Sequence, residues 1–200
     1  MKKYNWQAGA PGIPDSWFTR NQVPMTKEEV RVITLAKLRP QATSIIWDIG
    51  AGTGSLTIEA ALCAPVGKVY AIERNPAGVQ LIKENQAKFG VANVTVVEGI
   101  APQALAGLPK PDRVMVGGSG GNFKAIIAEI DKVLAPGGRV VINAILLDTL
   151  SEAINYFQDR KDYHLEIIQV GVTRVEQVKS LHMLQGQNPV FIITAEKVGG

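Results

Sequence analysis

The chain has little cysteine, little histidine and no long apolar run. A single cysteine, Cys63, among 200 residues excludes a disulfide framework and a cysteine-rich metal site. It reads as a small apolar residue on a helix. The two histidines, His164 and His182, stand apart and read as structural or solvated groups, so no metal is expected. Charge of one sign is not concentrated either. The formal net charge is +3, and no dense Lys/Arg cluster marks a nucleic-acid surface. No apolar stretch reaches membrane-spanning length. The opening Met1-Lys2-Lys3-Tyr4-Asn5-Trp6 lacks an apolar core of signal-peptide length. Neither a membrane nor a nucleic acid is expected as partner, and a cytoplasmic enzyme is the expectation. Internal repeats and flexible linkers are absent, so the chain reads as one domain over 1–200, with an irregular arm over 1–25. What remains, 46% hydrophobic and 20% charged, suits a globular domain with a sizeable core.

The elements follow from pattern and punctuation. The arm holds Pro11, Pro14 and Pro24 with Trp6, Trp17 and Phe18, and is expected to pack by its aromatics. Thr26-Lys27-Glu28-Glu29 reads as a capping box that starts a helix to about Leu38, with Val30, Ile33, Leu35 and Leu38 buried and Pro40 beyond its end. Strands are predicted at about 44–49, 68–73, 94–98, 112–116 and 139–144. Helices are predicted at 55–64, from Pro76 to Phe89 behind an Asn75 cap, at 123–134 and at 148–158. Residues 165–170 and 190–194 read as two closing strands with a loop, 171–189, between them. Five alternating strand–helix units argue a doubly wound, Rossmann-like α/β sheet, mostly parallel, and the closing hairpin adds one antiparallel strand.

The most informative stretch is Ile45-Ile46-Trp47-Asp48-Ile49-Gly50-Ala51-Gly52-Thr53-Gly54. An apolar strand ends in an acid, and a glycine-rich turn feeds a helix. The spacing is G-x-G-x-G, whereas the nicotinamide-type fingerprint places its third glycine one residue later. A sulfonium ligand has no pyrophosphate to cradle, and it needs a flat turn of bare backbone, which glycine permits. Acid, turn and helix together look like the S-adenosylmethionine (SAM) site of a class I methyltransferase. Asp48 reads as a group that caps the following helix or holds the turn. Glu73, at the end of the second strand, is placed to accept hydrogen bonds from both ribose hydroxyls. The slot where many such enzymes place an adenine-binding acid holds Ile100. The adenine contact is therefore expected from the backbone of Ile100 and Ala101, with Ile100 packing on the ring and Glu98 as the nearest acid. After the fourth strand the Asn/Asp-Pro-Pro-aromatic motif of base-directed amino-methyltransferases is missing. Gly117-Gly118-Ser119-Gly120-Gly121 stands there instead, exposing backbone beside the methyl donor and leaving room for a broad, flat substrate.

With these residues in place, the sequence resembles the CbiT family of cobalamin biosynthesis, which matches the C-terminal half of the bifunctional CobL proteins. The matching stretches include Gly12-Ile13-Pro14-Asp15, Val23 to Arg31, Asp48 to Gly54, Tyr70 to Pro76, Val116 to Gly121, Leu134 to Arg139, Asn143 to Leu147 and Gln187-Asn188-Pro189-Val190. The resemblance implies SAM-dependent methylation of a precorrin, a tetrapyrrole, at C15 with decarboxylation of the ring C acetate. It also implies a homotetramer, and contact with other enzymes of the pathway is a further expectation. Carried over by position, Thr26, Gly50, Ala51, Gly52, Thr53, Gly54, Glu73, Ile100 and Ala101 would bind SAM. Gly118, Ser119, Gly120 and Asn143 would face the substrate. Ala51, often Cys in the family, and Ile100, often Asp, are its departures. Such a substrate bears many carboxylates, and Arg20, Arg174 and Lys179 are candidate anchors for them. Two other readings stay open: a different small-molecule or RNA methyltransferase on the same fold, and a SAM-binding subunit that scaffolds neighbouring enzymes without catalysis.

Overall fold

The computed structural model describes residues 10–199; Trp6 of the arm lies outside them. Nine strands and five α-helices occur in the order α1 (Glu28–Leu38), β1 (Ile45–Ile49), α2 (Ser55–Cys63), β2 (Lys68–Glu73), α3 (Pro76–Phe89), β3 (Val94–Glu98), β4 (Arg113–Val116), α4 (Phe123–Val133), β5 (Arg139–Ala144), α5 (Leu147–Phe157), β6 (Tyr163–Val170), β7 (Thr173–Val178), β8 (Leu181–Gly186) and β9 (Val190–Lys197). Seven strands form one sheet in the order β3-β2-β1-β4-β5-β9-β6. β1 to β5 run parallel, and β9 runs antiparallel between β5 and β6. This is the mostly parallel, doubly wound sheet that the alternation predicts.

Side-chain alternation along the strands builds two cores. Ile46, Val69, Ala71, Met115, Val141 and Ile192 meet α1, α2 and α3 on one face. Trp47, Ile49, Ile72, Val114, Val116, Ile142 and Ile193 meet α4 and α5 on the other. Because β1, β4 and β5 are covered on both sides, they read as continuous apolar runs. Phe18 of the arm is buried in the first core, 4.9 Å from Phe89 between ring centroids. No helix among the described residues is long and apolar enough to cross a membrane.

Several local signals hold. Asn75 caps α3 by accepting from Ala77 N–H, Pro76 is the first helical residue, and Gly90 ends the helix with φ +67°. Others do not. The Thr26 capping box is not formed: Lys27 is the cap residue of α1, and no side chain caps the helix. Thr26 lies one residue too far out, and its carbonyl accepts from Arg31 Nη1 instead. The third strand–helix unit has no α-helix, only a 3₁₀ turn at Gln103–Leu105. The 171–189 loop is not a loop, because β7 and β8 pair as a separate two-stranded sheet. Its side chains are mostly exposed, so no buried face imposes the alternation by which a strand is recognised.

Candidate active site

In this strand order the chain leaves β1 toward β2 and β3, then returns to β4 on its other side. β1 and β4 therefore flank the switch point, where a crevice opens at the carboxyl ends of the strands. The glycine turn sits at that crevice. Gly50, Gly52 and Gly54 all have left-handed φ, +72°, +57° and +77°, a conformation costly for other residues. The amides of Gly50 and Ala51 both donate to Ile72 O, fastening the turn to β2. A Cβ on Gly50 would lie 2.4 Å from Gly118 O, so the two glycine loops touch backbone to backbone. A Cβ on Gly78 would lie 2.8 Å from Glu73 Cγ and 3.0 Å from Gly52 O. Gly78 thus lets α3 press against the turn, a requirement not visible in the local sequence.

Glu73 is buried, and each of its carboxylate oxygens accepts one backbone N–H: Oε2 from Gly52 and Oε1 from Asn75, both at 2.8 Å. Each oxygen keeps further acceptor capacity, enough for a vicinal diol. Asp48, under the turn, is also buried and accepts from Thr57 Oγ1 at 2.5 Å. Burial pushes its carboxyl up to about 6, with the Thr57 hydrogen bond opposing and the charge of Glu73 adding to the rise. That geometry makes Asp48 a support of the turn. Asn85 braces the next residue from α3, donating to Thr53 O at 2.9 Å.

The cleft above these residues encloses about 740 Å³. It brings together Thr26, Gly50, Ala51, Gly52, Thr53, Glu73, Ile100 and Ala101 on one side with Gly118, Ser119, Gly120 and Asn143 on the other. Gly54 stands behind the wall, packed on Ile82. Glu98 is exposed and outside the cleft, so it does not serve there. Arg20 and Lys179 also lie outside it. Arg174 is held elsewhere: its Nη2 donates to both oxygens of Glu29 at 3.0 Å and to Asp15 at 3.3 Å. The cations of the cleft are instead Lys27 and Arg74. Gln185, near the end of β8, and Gln187 and Asn188, on the return to β9, were also not foreseen, because the β7–β8 pair that brings them to the cleft was not. Neither histidine lines it, and among the described residues no group of three His, Cys, Asp or Glu could hold a metal.

These residues fit SAM. Thr53 Oγ1 is buried without a hydrogen-bond partner while lining the cleft, as a group awaiting a ligand would be. Gly52 passes close to Pro24 O, narrowing the pocket on the glycine-turn side. Ile100 holds its apolar side chain 52% exposed at the cleft, where an aromatic ring can cover it.

Comparison with known proteins agrees with this geometry. A cobalt-precorrin-6B C(15)-methyltransferase (decarboxylating) of Salmonella typhimurium is 40% identical over 186 residues, covering 92% of this chain and 96% of its own. The crystal structure of a precorrin-6y C5,15-methyltransferase from Geobacter metallireducens superposes with a TM-score of 0.88 at 44% identity, covering 94% of this chain and 98% of that one. A precorrin 8w decarboxylase from Methanobacterium thermoautotrophicum superposes with a TM-score of 0.85 at 36% identity, covering 94% and 100%. A SAM-dependent O-methyltransferase shares the fold at 18% identity, a likeness that carries the fold alone. The fold is that of the class I SAM-dependent methyltransferases, and SAM is the cofactor. Residues 16–197 match the precorrin methyltransferase domain, and the chain belongs to that family.

Proposed function

We propose that this chain methylates a corrin precursor, cobalt-precorrin-6B or precorrin-6B, at C15 at the expense of SAM, with decarboxylation of the C12 acetate side chain. The observation that carries the reading is the cleft itself: a ribose-competent carboxylate and glycine turn on one wall, and the glycine-rich loop of Gly117, Gly118, Ser119 and Gly120 on the other. A flat macrocycle needs such a wall, because bulky side chains there would lift it away from the methyl donor. Ile145, 68% exposed at the rim, adds apolar surface on the same side. The relatives' names supply the substrate class.

When bound, SAM supplies an electrophilic methyl group, already activated by its sulfonium. The chain's own residues bind and orient. Glu73 holds the ribose through its free acceptor sites. Thr53 Oγ1 and the turn Gly50 to Thr53 line the methionyl side, with Thr26 at the rim. Ile100 and Ala101 hold the adenine, and Gly54 keeps the turn seated on α3. Gly118, Ser119, Gly120 and Asn143 receive the macrocycle, whose conjugated system supplies the electrons for methylation and accepts those released with CO2. Alignment is then the main catalytic contribution. Asp48, hydrogen-bonded to Thr57 under the turn, supports the turn's shape.

The unit we propose is one methyltransferase domain over 1–200, working as a homotetramer in the cytoplasm, in contact with neighbouring enzymes of the pathway. Support for assembly comes from the β7–β8 hairpin, which exposes Val175, Leu181, Met183 and Leu184 away from either core. The test is incubation of the purified chain with SAM and cobalt-precorrin-6B, followed by product mass. Gain of one methyl with loss of CO2 is the expected result. SAM binding with no mass change would overturn the substrate, and absence of SAM binding would overturn the site.

A further inference from the structure

The charges that line the cleft are two acids, Asp48 and Glu73, and two cations, Lys27 and Arg74. Both acids are occupied: Asp48 by Thr57, and Glu73 by the amides of Gly52 and Asn75. Among the described residues neither cation makes a side-chain ion pair. Hydrogen bonds within the protein thus hold both acids in place, while the two cations are tied to no protein acid among the described residues. The two cations differ in place. Lys27 is the cap residue of α1, next to Thr26 on the glycine-turn side. Arg74 follows Glu73 at the end of β2 and reaches across to the opposite wall. A Cβ built on Gly120 would stand 2.7 Å from Arg74 Nη1 and 3.0 Å from its Cζ. The guanidinium thus lies on the bare backbone of Gly120, at the wall assigned to the macrocycle. Gly120 has φ +57° and no side chain, and both properties are needed to seat it.

We propose that Arg74, seated on Gly120, binds a peripheral carboxylate of the substrate. The inference rests on the reading of the substrate as a polycarboxylate macrocycle. A guanidinium presents paired N–H donors that match a carboxylate, and here no protein acid competes for them. SAM also carries a carboxylate, so the same chemistry has two sources, which separate measurements distinguish.

The test is calorimetric titration of the full chain with SAM and, separately, with cobalt-precorrin-6B in the presence of S-adenosylhomocysteine, for the wild type, R74A, R74K and G120A, alongside steady-state kinetics. R74A is expected to raise the Kd and KM for the precorrin about tenfold while SAM affinity stays within about twofold. R74K recovers only part of the loss, because an ammonium lacks the paired donors. G120A keeps the charge but unseats it, and weakens the precorrin in the same direction. The salt dependence of precorrin binding is shallower in R74A than in the wild type. The proposal is overturned if R74A weakens SAM and spares the precorrin, which would assign Arg74 to the cofactor, or if it changes neither. A wild-type chain that binds SAM but not the precorrin would instead sink the functional reading, and this proposal with it. Thermal melts of each variant separate lost binding from lost folding.

Discussion

Glu73 accepts from the amides of Gly52 and Asn75, so its carboxylate both shapes the glycine turn and faces the ligand. Glu73→Gln removes the charge and one acceptor, and replaces a carboxylate oxygen with an amide group that cannot accept. SAM affinity is expected to fall at least about tenfold by calorimetry, with a smaller change in melting temperature. Gly50→Ala places a Cβ against Gly118 O and forces a left-handed φ on alanine. The conformation alone costs about 1 kcal/mol, and the backbone clash adds to it. A lower melting temperature together with lost SAM binding is the expected outcome, and a variant that binds SAM normally would contradict the close packing of the two loops. Asp48 gives a pH signature. Its folded carboxyl titrates near 6, above the unfolded value of 3.8, so the folded state holds the extra proton between those values. Stability from this group is therefore lost as pH rises from about 4 to about 6, by roughly 3 kcal/mol. Asp48→Asn removes that dependence. The wild-type unfolding free energy minus that of the variant, followed by denaturant titration across pH 4–7, should fall as pH rises through that window and then level off.

Among elements, the arm and α1 are fixed by one buried cation. Arg31 is fully buried. Its Nε donates to Glu59 at 2.8 Å, Nη1 to Asp15 and to Thr26 O at 2.6 Å each, and Nη2 to Ile13 O. Its guanidinium also stands 4.8 Å from the Phe18 ring centroid. Glu59, on α2, in turn accepts from the amides of Gly12 and Ile13. The network seats residues 12–26 on α1 and α2, and so brings Pro24 and Thr26 to the cleft. Arg31→Ala leaves Glu59 buried without its cation, which costs about 3–5 kcal/mol. A marked fall in the urea midpoint is expected, with weaker SAM binding among the molecules that stay folded. The double change Arg31→Met with Glu59→Gln removes both charges and should recover part of that loss. From the sequence, the periodicity of α1 placed Val30, Ile33, Leu35 and Leu38 inside; Ile33 is only half-buried, and nothing gave a sign that Arg31 and Thr34 join the others. Only partners brought from far along the chain make a buried arginine tolerable. The Thr26 box failed because the helix starts one residue later, with Lys27 at the cap position.

At the scale of the whole molecule, the exposed apolar side chains of β7 and β8 predict self-association. Light scattering after size exclusion is expected to give a tetramer mass, and the pair Leu181→Asp and Leu184→Asp to give smaller species with an unchanged far-UV spectrum. A wild-type monomer at micromolar concentration would contradict the assembly. The hairpin also bears on the site. Arg174 of β7 ties it to Glu29 of α1 and Asp15 of the arm, and the chain leaving β8 supplies Gln187 and Asn188 to the cleft.

The alternation of strands and helices through β5, the parallel sheet, the glycine turn and Glu73 were legible because each rests on local patterning; the helix missing after β3 and the strands β7 and β8 were not. Burial on both faces writes apolar runs into the strands, and a left-handed φ demands glycine where it falls. The folded molecule alone decided which cations face the cleft. Arg174 and Arg74 are equivalent in composition, but long-range pairing occupies the first, while a bare glycine on a distant loop leaves the second free. The need for Gly78 beside Gly52 and the burial of Arg31 against Glu59 and Asp15 are likewise set by neighbours remote in sequence. Contacts of that kind are made by topology, and no window along the chain contains both partners.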